Sequence, residues 1–168
     1  NIDFIGDIWY FCIMKKKGIA MSGKALIIAF LMAVFVSQNV SSQRITILSS
    51  NDTHSALLPD NDGMGGLLRH KALVDSVRAA DEHVVAVHAG DAVQGTVYFS
   101  MFKGAVEYAM HDSIGYDYCI VGNHEFDNHI NDLAKYTASL KAKLLSSNYD
   151  FTSTPLDGRF SPYDIRHY

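Results

Sequence analysis

The feature that most constrains this chain is an alternation. Four short apolar, β-prone runs, Arg44–Ser49, Val84–Val87, Tyr116–Val121 and Lys143–Ser147, are separated by stretches with helical spacing. Leu67, Leu73, Val74 and Val77 recur at helical intervals over Gly66–Ala80, after an Asn-, Asp- and Gly-rich loop. Ala105–Ser113 reads as a second helix that stops near Gly115. Ile130, Leu133, Ala134, Thr137 and Leu140 form a third stripe, with Asp127 or Asn128 available as its cap. The order β-α-β-α-β-α-β implies right-handed crossovers and a largely parallel sheet. Sheets of this kind place ligands and chemistry outside the C-terminal ends of their strands.

The first three runs end in turns rich in metal-ligand side chains. Asp52-Thr53-His54 follows the first, Gly90-Asp91 the second, and Gly122-Asn123-His124-Glu125 the third, with Asp127 just behind. In an extended or turn conformation, Asp52 and His54 project to the same side and can share a divalent ion. Gly90 allows close approach, and the two oxygens of Asp91 can bridge two ions roughly 3.5–4 Å apart. The amide oxygen of Asn123 can ligate without adding charge. The side chain of His124 diverges from that of its neighbour Asn123. Asp127 is within reach of the His124 ring, and such a pair fixes the tautomer and raises imidazole basicity. His124 therefore reads as a proton donor or transition-state cation, and Glu125 as an acid behind the ligands or at the surface. Any one of these turns alone also fits an Asx-turn or a helix cap. Together at one sheet edge, they read as a hard-metal site for phosphate chemistry.

From residue 44 onward, ten lysines and arginines face sixteen aspartates and glutamates, a net charge of −6. That balance excludes a footprint for nucleic-acid polymer or an anionic membrane. A phosphate substrate then needs local positive charge, which bound metal ions supply. Residues 1–42 read as a leader. Lys15, Lys16, Lys17 and Lys24 precede the apolar Ala25–Val36, and Val40-Ser41-Ser42 offers small residues for cleavage. This predicts a signal peptide over about residues 21–42, a mature start at Gln43, and membrane contact only during export. Met14 or Met21 reads as the initiator, so residues 1–20 carry no functional argument. Of the two cysteines, Cys12 precedes the cleavage site, and Cys119 reads as a buried, inert strand thiol. Thr152–Ser161 reads as a surface loop and Tyr163–His167 as a strand-like start, so residues 43–168 read as the N-terminal portion of a longer catalytic domain.

The set S-S-N-D-T-H-S, H-A-G-D-A-V-Q-G-T, V-G-N-H-E-F-D-N and L-S-S-N-Y-D-F resembles the bacterial 5′-nucleotidase/2′,3′-cyclic phosphodiesterase family, within the calcineurin-like metallophosphoesterases. The resemblance runs from about Arg44 to Tyr168. It implies an α/β fold of the metallophosphoesterase type, a β-sandwich flanked by helices, truncated at its C-terminal side. It implies a periplasmic or cell-surface hydrolase with two divalent metal ions (Mn, Zn, Co, Fe or Mg). Asp52 and His54 would hold one ion, Asp91 would bridge, Asn123 would hold the other, and His124 with Asp127 would form the catalytic pair. The expected substrates are nucleoside 5′-monophosphates, with cyclic nucleotides and nucleotide sugars next. The further histidine motifs of the family, G-H and G-H-x-H, do not occur in these 168 residues, and neither does its nucleoside-binding domain. The expectation for this chain is thus weak metal binding and little hydrolysis. His88 stands where an acidic residue is common and reads as a packed strand histidine that could support Asp91. His70 lies near an apolar stripe, and His111 and His167 read as surface residues, with no ligand role for any of the three. The rival reading is a non-catalytic exported module that uses the Asp/His turns to bind a metal or a protein partner.

Overall fold

The β-branched run after Arg44 forms β1 (Thr46–Ser50), and the apolar run after His83 forms β2 (Val84–His88). A computed structural model describes Gly23 and residues 44–168. The expectations placed on the leader otherwise lie outside the described residues. Between the two strands, α1 (Leu67–Ala80) packs Leu67 and Val74 inward. Leu73, expected on the same stripe, is 58% exposed, because the buried pair lies two turns apart and leaves Leu73 off its line. β2 leads to α2 (Val97–Phe102) and α3 (Ala105–Ile114), then to β3 (Tyr118–Cys119). A single turn of 3-10 helix at His124–Phe126 precedes α4 (Ile130–Tyr136) and β4 (Lys143–Leu144).

The four strands are parallel and lie in sequence order, β1-β2-β3-β4. β2 is buried on alternate residues, whereas the edge strand β1 leaves Ile47 68% exposed. One apolar cluster joins Leu67, Val74, Ala86, Ile114, Cys119 and Leu144 between α1, α3 and the sheet. A second joins Val93, Tyr108, Val121, Leu133 and Leu156 on the side of α4. Among the described residues, no helix is long and apolar enough to cross a membrane.

Four elements differ from the sequence pattern, and the fourth strand, expected over Lys143–Ser147, pairs only at Lys143 and Leu144. The third strand is expected over Tyr116–Val121, but its ladder holds only Tyr118 and Cys119. Asp117 accounts for the short start: its carboxylate takes the Ala86 N–H at 2.9 Å, a place a strand carbonyl would otherwise fill. The helix expected from the third apolar stripe, α4, begins at Ile130 with His129, not Asp127 or Asn128, at its N-cap, because Asp127 is committed to His124 and Asn128 bonds Asp132. Tyr163–His167 forms no strand. Its charged residues instead fasten it to the sheet, Asp164 to Lys143 at 2.6 Å and Arg166 to Asp117 at 2.8 Å.

Asp117 thus receives Ala86 N–H, Arg78 and Arg166 together. Burial pushes its carboxyl pKa up, but these donors outweigh burial and hold it below the usual range. A depressed carboxyl pKa stabilises the fold above the ordinary value of roughly 3.9, and that contribution disappears as pH falls through and below it. Asp117→Ala is expected to cost about 2 kcal/mol in urea denaturation at neutral pH. The difference from wild type should shrink as the pH is lowered below about 4. An unchanged difference at low pH would remove Asp117 from the acid response.

Candidate metal centre

The expected site lies where β1, β2 and β3 end. The segment after β1 runs beside the segment after β2, joined by Asp52 N–H to Gly90 O (3.0 Å), His54 N–H to Asp91 O (3.1 Å) and Ser55 N–H to Ala92 O (2.9 Å). Asp52, His54, Ser55 and Asp91 all have positive φ, between 42° and 54°. Four non-glycine residues in this sparsely populated conformation within two adjoining turns mark a place where the surroundings dictate the backbone. The third turn is close enough that a Cβ on Gly90 would sit 2.6 Å from Gly122 N. Glycine is required there by contact as well as by its φ of 100°.

This lacing brings ligand-type groups together. One ligand atom each from His54, Asp91 and His124 lie within 4.8 Å of one another. Asp52 Oδ1 is 3.6 Å from His54 Nε2, a separation that two ligands of one ion can adopt. The Asp91 carboxylate also accepts the His124 N–H at 3.0 Å. Asn123 is exposed at the N-cap of the 3-10 turn, next to His124. The His54 and His124 rings meet edge to face at 5.1 Å. His54 Nδ1 is buried with no hydrogen-bond partner. A donor set of carboxylates, imidazole and amide, with no thiolate, suits hard and borderline divalent cations. The residues therefore fit the metal that the sequence suggests.

Asp127 Oδ2 lies 2.8 Å from His124 Nδ1. This hydrogen bond draws the His124 pKa above its ordinary value, and the nearby Asp91 and Glu125 act in the same direction. With Nδ1 paired, Nε2 is the free ring nitrogen. An open groove of about 440 Å³ adjoins the site, lined by Asp52, Thr53, Arg69, His70 and Leu73 among others.

The structure places Glu125 behind the ligands rather than at the surface, and it corrects the surface reading of His111. Glu125 is 5% exposed, and its carboxylate accepts the N–H groups of Asp91 (3.0 Å), Ala92 (2.7 Å) and Gly122 (2.5 Å). It is the acid that ties the second turn to the third. Burial lifts its pKa, opposed by these three donors. His111, expected at the surface, is 1% exposed and packs its ring 4.4 Å from that of His88. Glu107, His111 and Ile114 fall at i, i+4 and i+7 on the buried face of α3, the periodic signal that could have placed it. Cys119 is buried as expected, and burial pushes its thiol up to about 12.

The family model of the calcineurin-like phosphoesterases matches residues 45–166. The chain is similar to the 5′-nucleotidase of Bos taurus, with 33% identity over 135 residues, 72% of this chain and 24% of that protein. It is similar to the NAD 5′-nucleotidase of Haemophilus influenzae, with 30% identity over 164 residues, 90% of this chain and 27% of that protein. Its fold resembles the crystal structure of a 5′-nucleotidase precursor from Thermus thermophilus, with a TM-score of 0.68 and 32% identity over 73% of this chain and 26% of that one. The chain spans about a quarter of the length of these relatives.

Proposed function

The chain belongs to the calcineurin-like phosphoesterase family, and from that premise we propose that it carries the first metal-holding part of an exported nucleotide phosphohydrolase. The observation that carries this reading is the convergence of His54, Asp91 and His124 within 4.8 Å at one sheet edge, with Asp52 beside them. Asp52, His54 and Asp91 would hold one divalent ion, and Asp91 with Asn123 a second. Such ions, when bound, neutralise phosphate charge and lower the pKa of water toward neutrality. The chain's own part in the chemistry is positioning and proton handling. Asp127 orients His124 through Nδ1, and His124 Nε2 then donates to a phosphate oxygen or to the leaving ribose oxygen. The similarity to two 5′-nucleotidases and an NAD 5′-nucleotidase supports a nucleotide as substrate, with nucleoside 5′-monophosphates the first choice. The basic, apolar stretch ahead of Gln43 supports export.

The test is Mn²⁺ binding by calorimetry together with phosphate release from AMP, for the wild type and Asp91→Ala. Mn²⁺ binding that Asp91→Ala abolishes is the expected result. Metal-dependent phosphate release would mean that the ligands within these residues suffice. Folded protein that binds Mn²⁺ but releases no phosphate would assign the remaining ligands to residues outside this chain. Folded protein that takes up no Mn²⁺ would overturn the reading.

A further inference from the structure

His88 ends β2 with no exposed surface, yet both of its ring nitrogens have partners. The Gly90 N–H points at Nδ1 from 3.3 Å. A backbone N–H can only donate, so Nδ1 is the unprotonated nitrogen and the ring proton sits on Nε2. Nε2 lies 3.0 Å from Thr53 Oγ1, which it must then donate to. The hydroxyl hydrogen of Thr53 remains for the Ala92 carbonyl at 3.5 Å. Thr53 sits between Asp52 and His54, and Gly90 immediately precedes Asp91. One imidazole therefore spans the two turns that carry three of the four proposed ligands.

We infer that His88 is a positioning residue of the metal centre, a neutral Nε2–H imidazole that fixes the turn bearing Asp52 and His54 against the turn bearing Asp91. The inference rests on the metal reading of that site. A histidine kept only for packing would need no particular tautomer and no partner on each turn. The ring is also held from behind, with His111 at 4.4 Å and Tyr116 at 5.5 Å between centroids. Burial, helped by His70 and opposed by Asp52 and Asp91, lowers the His88 pKa to about 4, so the ring that must both donate and accept is neutral at physiological pH. Groups that orient metal ligands from behind typically contribute roughly 10–100-fold to metal affinity.

The test uses Thr53→Val, which keeps the volume and deletes Oγ1, Thr53→Ser, which keeps Oγ1, and His88→Asn, which retains an acceptor near Gly90 but cannot reach Thr53. The readouts are the Mn²⁺ dissociation constant, the long-range ¹H–¹⁵N spectrum of His88 in metal-free protein, and the thermal midpoint. The wild type should show the Nε2–H tautomer with a slowly exchanging proton. Thr53→Val should speed that exchange and weaken Mn²⁺ binding roughly tenfold. Thr53→Ser should restore both, and adding His88→Asn to Thr53→Val should weaken binding no further than the worse single change. Thr53→Val protein that binds Mn²⁺ like the wild type, or an Nδ1–H tautomer, would overturn the inference, and the two Thr53 variants decide it even if His88→Asn does not fold. Wild-type protein with the Nε2–H tautomer but no Mn²⁺ uptake would instead overturn the metal reading and leave the tie between the turns as purely structural.

Discussion

On the proposed reading, replacing His124 with alanine is expected to slow phosphomonoester hydrolysis by roughly 10²–10⁴-fold with Mn²⁺ still bound. The expectation follows from how the ring is held. Its Nδ1 is engaged by Asp127 at 2.8 Å, and its backbone N–H is engaged by Asp91 at 3.0 Å. The imidazole is therefore aimed by two carboxylates before any substrate arrives, and a preorganised donor acts most strongly where charge develops in the transition state. The loss should appear in kcat more than in KM, since a transition-state contact is removed rather than uniform binding. Asp127→Asn should cause a smaller loss of the same kind, because the ring survives and only its orientation and tautomer are relaxed. The competing role is specific: a ligand atom of His124 also falls within 4.8 Å of His54 and Asp91, so the ring could itself hold an ion. A calorimetric titration separates the two. Mn²⁺ affinity retained in His124→Ala assigns the ring to the substrate, and affinity lost with activity assigns it to the metal.

Much of this site was legible in the sequence because its chemistry is local. Asp52 and His54 are two residues apart, and His124 and Asp127 three apart, so short spacing alone predicts contacts that the structure contains at 3.6 and 2.8 Å. The parallel sense of the four strands was legible from apolar runs separated by helical patterns, whereas their spatial order was not. What stayed hidden depends on contacts across the chain. The partners of Glu125 are backbone N–H groups up to 34 positions away, which no side-chain pattern encodes. The partner of His88 on the first turn is 35 positions away. The short helix α2, V-Y-F-S-M-F, has β-branched and aromatic residues that favour strands. It forms because the Thr96 side chain caps Tyr98 N–H at 3.3 Å and the chain turns out through Lys103 with positive φ. The late start of β3 comes from one carboxylate, Asp117, taking a ladder donor.

Glu125→Ala is expected to destabilise the protein by about 3–5 kcal/mol. It should also sharply reduce Mn²⁺ binding by any protein that remains folded. The carboxylate of Glu125, itself 5% exposed, is the shared acceptor for Asp91, Ala92 and Gly122, and alanine would leave all three N–H groups without it. Two of these donors belong to the turn that carries Asp91, and the third opens the turn that carries Asn123 and His124. Losing the acceptor therefore frees the two turns from one another, beyond its cost in stability. Glu125→Gln separates these effects. The amide fills the same volume but offers one acceptor oxygen where two were used, and its NH₂ must face a backbone donor. Urea denaturation should place Gln between wild type and Ala, and Mn²⁺ titration should follow the same order. If Glu125→Gln matched the wild type in both, a single acceptor oxygen would suffice. The second and third turns would then be held by the Asp91–His124 contact and the close approach of Gly90 to Gly122.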